Sequence, residues 1–182
     1  MKNYIVLAIA ALTPIVSFAT DGNISLTGNL QPSTCVVTTP SVSVSLTGPN
    51  GLPQKTFTGV GSATTMVPFN IGLNCGGVAA KVYMTLTDRQ KPGNTSNTLG
   101  LSANSTAAGL GIQVFLPSRS TTTPLTFGPD SSTVGNINQF SVVTVDDDDD
   151  VNIALSARYI QTAATVTPGT AMGVATFTMS YQ

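Results

Sequence analysis

The final stretch of the chain sets Ala175, Phe177, Met179 and Tyr181 alternately with Thr176, Thr178 and Ser180. A period of two puts the apolar side chains on one face and the hydroxyls on the other. That is the pattern of a half-buried β-strand, not of a helix with its 3.6-residue repeat. Thr, Phe and Tyr also suit a pleated surface. In the sequence as it stands no later segment can supply the next strand. The expectation is therefore that another segment covers one flank of this strand, or that the flank stays an exposed edge.

The same alternation recurs along the chain. Ile24, Leu26, Gly28 and Leu30 share one face, and Pro32 then removes a ladder donor and detaches this segment from the body of the chain. Residues 35–46 resume β character through Val36, Val37, Val42, Val44 and Leu46, with Pro40 predicting a bend or a switch between sheets. Phe69, Ile71, Leu73 and Cys75 form one face. Val82, Met84 and Leu86 form another, and so do Ile112, Val114 and Leu116. Leu125-Thr126-Phe127 is a short strand candidate, and residues 139–145 are β-branched. Val151, Ile153, Leu155, Ala157 and Tyr159 form the longest clean alternation. Gly, Pro and Asn punctuate these runs at residues 48–53, 76–77 and 165–169, and residues 89–108 and 118–123 read as exposed polar loops. Nothing sustains helical periodicity over three turns. The prediction is an all-β sandwich.

Charged residues make up only 8% of the chain, against roughly 25% in an average soluble domain. The net charge of −1 gives no basic surface for nucleic acid. A surface made neutral by Thr, Ser, Asn and Gln lacks the self-repulsion that keeps copies apart, which suits a protein that packs against others. There is no His and no Glu, and outside the N-terminal segment only Asp88 and Asp130 stand apart from a run of aspartates. The usual acid–base and Ser-His-Asp mechanisms are thus out of reach; no catalytic residue and no cofactor is expected. The run, Asp146 to Asp150, supplies hard oxygen ligands but not the Gly and spaced Glu of a calcium loop. It reads as a solvated turn held open by repulsion, and no metal site is expected.

Lys2, the apolar stretch from Tyr4 to Val16 and the small residues Ser17 and Ala19 make residues 1–19 an export signal. The alternative is an uncleaved anchor, although the run is short for a membrane span. No other stretch approaches the roughly 20 apolar residues a span needs, so no span is expected in the mature chain. In an exported chain the two cysteines, Cys35 and Cys75, point to one disulfide. A zinc site would lack ligands.

Two half-buried strands at the two ends leave two physical solutions. The first strand folds back beside the last one of its own domain, or it fills that place in a neighbour. Head-to-tail exchange does not close on itself and makes a fibre, by β-strand addition.

At this point the residues resemble a known family, the fimbrial subunits (pilins) of the chaperone–usher, type 1 class of Gram-negative bacteria. The resemblance spans the chain. It rests on the alternating segment from Gly22 to Leu30 with Gly28 inside it, then Cys35, then Pro68-Phe69-Asn70-Ile71-Gly72-Leu73-Asn74-Cys75. Further along it rests on Leu155-Ser156-Ala157-Arg158-Tyr159-Ile160-Gln161-Thr162 and Thr167-Pro168-Gly169-Thr170-Ala171. It ends on the final strand with its penultimate Tyr181. The resemblance implies an incomplete immunoglobulin-like β-sandwich lacking its final strand (residues 32–182), preceded by an N-terminal donor-strand extension (residues 20–31). A periplasmic chaperone would lend a strand to the groove beside Ala175, Phe177, Met179 and Tyr181. At an outer-membrane usher, Ile24, Leu26, Gly28 and Leu30 of another subunit would replace it, with Gly28 at a shallow point of the groove. Cys35 and Cys75 would staple the first two strands, and Gly169 and Tyr181 match the family's chaperone-recognition positions. The product would be a fimbria on the cell surface that supports adhesion. Two other readings stay open: a glycan-binding adhesin, and a secreted immunoglobulin-like module completed by its own first strand.

Overall fold

The computed structural model describes residues 35–47, 51–77, 79–145 and 150–182. The expected export signal, the donor segment with Ile24, Leu26, Gly28 and Leu30, and Asp146 to Asp149 lie outside the described residues. Within them the chain forms seven strands and one 3-10 turn at Gln54–Thr56. The strands are β1 (Val36–Val37), β2 (Val67–Asn74), β3 (Ala80–Asp88), β4 (Leu110–Phe115), β5 (Phe140–Val145), β6 (Asp150–Gln161) and β7 (Ala175–Tyr181). They build two antiparallel sheets, one in the order β1-β2-β6-β4 and the other β5-β3-β7.

The period-two runs become these strands because their apolar faces meet between the sheets. Ile71 and Leu73 of β2, Ile112 and Val114 of β4, and Ile153, Leu155 and Ala157 of β6 come from one side. Val82, Met84 and Leu86 of β3 and Phe140 and Val145 of β5 come from the other. Val82, Met84 and Leu155 are almost fully buried. At roughly 25 cal/mol per Å² of apolar surface removed from water, this layer is the main stabilising term of the fold.

Cys35 and Cys75 are joined in a disulfide with a Cα–Cα distance of 3.9 Å, both buried. They flank the β1–β2 ladder, in which Val36 pairs with Asn74 and Val37 with Leu73. The disulfide thus carries the register one step further.

Three expectations are corrected. Residues 35–46 carry less β structure than expected, and the chain does not switch to the other sheet at Pro40: only Val36–Val37 pair, and after Thr38 donates to the carbonyl of Gly72 (2.9 Å) the chain leaves the sheet. Pro40 cannot donate, and residues 40–46 make no main-chain hydrogen bond among the described residues. Leu125-Thr126-Phe127 is not a strand, although both apolar side chains are buried and Leu125 donates to Val114 O (2.7 Å). Residues 89–108 are not a wholly exposed loop. Leu99 is buried and exchanges main-chain bonds with Ile112 (2.8 and 3.0 Å). The buried Asp88 carboxylate gathers the start of this segment by accepting from the N–H groups of Gln90, Lys91 and Gly100 and from Asn94 Nδ2 (2.9–3.2 Å). Those four bonds offset the desolvation of a carboxylate that has no ion-pair partner among the described residues.

Candidate functional site

β7 is the last strand of the second sheet. One of its sides is bonded to β3, from Val82 opposite Tyr181 to Asp88 opposite Ala175, with no register shift. The other side carries no strand among the described residues. The ladder fixes which groups point where. Lys81 and Gln182 exchange both main-chain bonds (2.7 and 3.0 Å). In an antiparallel pair the bonded residues recur at every second position. Ser180, Thr178 and Thr176 therefore also turn their N–H and C=O groups towards β3. Ala175, Phe177, Met179 and Tyr181 turn theirs towards the open side. The side chains of the same four residues face the core, yet all are only half-buried. A core-facing strand in a finished sandwich would bury them.

Beside this edge lies an open groove of about 590 Å³. Residues 173–177 form one wall, and the unpaired segment with Val42, Val44 and Leu46 forms the other. Leu99, Ile112, Val114 and Leu155 lie beneath. A Cβ on Gly173 would stand 2.7 Å from Ile112 Cδ1 and 2.9 Å from Leu99 Cδ2, so this corner is already filled to contact. Among the described residues no charged or acid–base side chain lines the groove. The hydroxyls of Ser41 and Thr176 are the lining's polar side chains, and no base stands beside them in it; this lining suits main-chain bonds and apolar contacts. Burial raises the phenol of Tyr181 above its ordinary value, so the side chain at the end of this face stays neutral.

Of the residues expected at the site, Ala175 and Phe177 line the groove, and Met179 and Tyr181 continue the same face along β7. Gly169 stands elsewhere. It borders a second hollow of about 390 Å³, next to Tyr159, whose hydroxyl donates to Ala171 O (2.6 Å). A Cβ on Gly169 would meet Thr106 Oγ1 at 2.4 Å and Ala107 N at 2.6 Å, so backbone there would have to move. Gly169→Ala is expected to destabilise the domain by about 1–3 kcal/mol, read as a lowered melting temperature in a thermal scan. An unchanged melting temperature would mean that the 106–107 segment yields freely. The role of residues 40–46 as a wall was missed because an unpaired segment can show the same alternation as a paired strand.

Among the described residues no group of three or more His, Cys, Asp or Glu could hold a metal, and no helix is long and apolar enough to cross a membrane. Asp150, from the aspartate run, opens β6 and accepts from Asn74 Nδ2 (3.0 Å).

A sequence profile of the family described as Fimbrial protein matches residues 24–182. The chain belongs to this family. The fimbrial chain is 31% identical over 191 residues to the fimbrial subunit type 1 of Salmonella typhimurium, covering 98% of this chain and 92% of that one. It is 36% identical over 172 residues to the F17c-G fimbrial adhesin of Escherichia coli, covering 91% of this chain and 48% of the adhesin. The chain thus spans about half the length of the adhesins it matches. Among solved structures the P pilus rod subunit PapA superposes with a TM-score of 0.57 at 19% identity, over 81% of this chain and 99% of that one. The fold is accordingly the immunoglobulin-like sandwich of the pilins. A fimbrial protein is a structural or adhesive component of the cell surface and not an enzyme.

Proposed function

We propose that this fimbrial protein is a subunit of a chaperone–usher surface fimbria, and that its groove is completed by a β-strand donated from another subunit. The observation that carries the reading is the coincidence at β7. Among the described residues the same four find no partner for their main-chain groups, their apolar side chains are half-covered, and the groove beside them has no charged lining. A strand laid antiparallel along that edge satisfies both deficits at once. Residues 1–19 are the export signal, residues 20–31 the donor extension and residues 32–182 the pilin domain. Ile24, Leu26 and Leu30 supply the side chains that enter a neighbour's groove, and Gly28 passes its shallow point. Other copies or related subunits are the lasting partners. A periplasmic chaperone fills the groove before assembly, with Gly169 and Tyr181 in its recognition surface, and an outer-membrane usher hosts the exchange.

The reading is tested by electrophoresis of sheared surface material in SDS, with and without boiling. A ladder of multimers that collapses on heating is expected, together with no incorporation after deletion of residues 20–30. Monomer in both lanes, or continued incorporation of the deletion variant, overturns it.

One observation favours a second reading, an adhesin: the identity to relatives named as fimbrial adhesins, 36%, exceeds the 31% to the type 1 subunit. Specific retention of the strand-completed monomer on a glycan array would support that reading, and absence of any retention would remove it.

A further inference from the structure

The hydroxylated face of β7 is not given over to water. The segment between Phe127 and β5, residues 128–139, crosses the outside of the second sheet and grips two of the hydroxyls. It is first fastened to β3: Gly128 N–H donates to Leu86 O (2.8 Å), and its carbonyl accepts from Thr87 Oγ1 (2.9 Å). Further along, the Asp130 carboxylate accepts from the hydroxyl of Thr178. Ser180 Oγ donates to Ser132 O (2.7 Å) and accepts from Gln139 Nε2 (3.1 Å). Gln139 is itself oriented by the N–H of Gly135, which donates to its Oε1 (2.8 Å). Asn138 Nδ2, donating to Phe127 O (2.6 Å), closes the base. Ser180 is 3% exposed as a result.

The gripped residues are those whose main-chain groups face β3. Thr178 and Ser180 are thus held on two sides, while the intervening Phe177, Met179 and Tyr181 keep their main chain open. An edge strand supported by one neighbour twists and frays more readily than a central one. A strand joining a frayed edge must order it first, and that ordering subtracts from the binding free energy.

We propose that residues 128–139 are a strap that positions the acceptor edge, acting through Asp130 and Gln139 on Thr178 and Ser180, so that an incoming strand meets a preformed ladder. The inference rests on the reading of β7 as the acceptor for a donated strand. None of the strap's residues lines the groove; they are positioning residues.

The test uses the full chain with Thr178→Val, Asp130→Asn and Ser180→Ala, and Thr178→Ser as the conservative control. Two quantities are read: hydrogen exchange at the main-chain N–H groups of Thr178 and Ser180 against that of β6, and the uptake rate of a labelled peptide with the sequence of residues 22–31. Loss of a hydrogen bond to a carboxylate is expected to speed β7 exchange about tenfold in Thr178→Val and to slow peptide uptake by a similar factor. Exchange in β6 stays unchanged, and Thr178→Ser, which keeps the hydroxyl, behaves as the parent. Uptake by the parent with unaltered rates in Thr178→Val and Asp130→Asn overturns the strap's role alone. So does exchange that rises equally in β7 and β6, which would mean a general loss of stability. No uptake by the parent overturns the acceptor reading on which the inference rests.

Discussion

A peptide with the sequence of residues 22–31 is expected to raise the melting temperature of the chain truncated before Gln31 by about 10 °C, a shift that corresponds to roughly 3 kcal/mol for a domain of this size. Beside the groove of about 590 Å³, Ala175, Phe177 and Met179 are half-covered, and their main-chain groups have no partner among the described residues. Burying Ile24, Leu26 and Leu30 there contributes on the order of 5–9 kcal/mol before ordering costs, which remove several kcal/mol of it. At a peptide concentration about a hundred times its dissociation constant the remainder appears as about 3 kcal/mol of added stability. That is a large fraction of the net stability of a typical domain, so the truncated chain without peptide should melt early. A peptide with Gly28→Leu is expected to give almost none of the shift, because a branched side chain cannot enter where the wall and floor are already in contact. Equal shifts from the two peptides would show that binding is unspecific hydrophobic adhesion. No shift with either would show that the edge of β7 is not an acceptor.

The half of this site that lies on β7 was legible in the sequence, and the half that faces it was not. Ala175, Phe177, Met179 and Tyr181 declare their common face through strict alternation, and the structure adds that their main chain shares the exposure. The opposite wall shows the same alternation at Val42, Val44 and Leu46, which predicts a paired strand; the structure gives a segment without main-chain partners among the described residues. Side-chain period reports which face is buried. It carries no information on whether the backbone is bonded.

Burial on the second face was hidden for a related reason. Lys81 to Asp88 reads as one apolar and one polar face, yet on the polar face Thr85 and Thr87 are as buried as Val82 and Met84 are on the other. The cover comes from residues 128–139, a stretch of Ser, Thr, Asn and Gly whose composition marks it only as a loop. Leu99 and Leu125 are buried without belonging to any strand: no periodic window includes Leu99, and the brief alternation at Leu125-Thr126-Phe127 marks burial but not pairing. The disulfide was accessible from counting cysteines in an exported chain, and the family from the order of its short motifs.

Replacing Cys35 and Cys75 by Ala is expected to lower the stability of the domain by about 4 kcal/mol in the chain-entropy model, for a loop of the observed sequence separation of 40. The effect should be larger at the groove than elsewhere. β1 contributes only Val36–Val37 to the first sheet, and beyond it the chain is tied by Thr38 N–H to Gly72 O (2.9 Å) and by Thr39 Oγ1 accepting from Gly72 N–H (3.2 Å). These few bonds and the disulfide anchor the entry to residues 40–46, whose Leu46 also packs against the core. Two buried cysteines next to such a short ladder act as its end clamp. Without the clamp, β1 opens at low free energy, one wall of the groove goes with it, and strand acceptance fails even in molecules whose β2, β3 and β6 remain folded. Measured by denaturant titration and by uptake of the residue 22–31 peptide, the double variant should lose most of its uptake while keeping the hydrogen-exchange protection of β6. Uptake reduced only in proportion to the unfolded fraction would show instead that the disulfide stabilises the sandwich as a whole and has no particular hold on the groove.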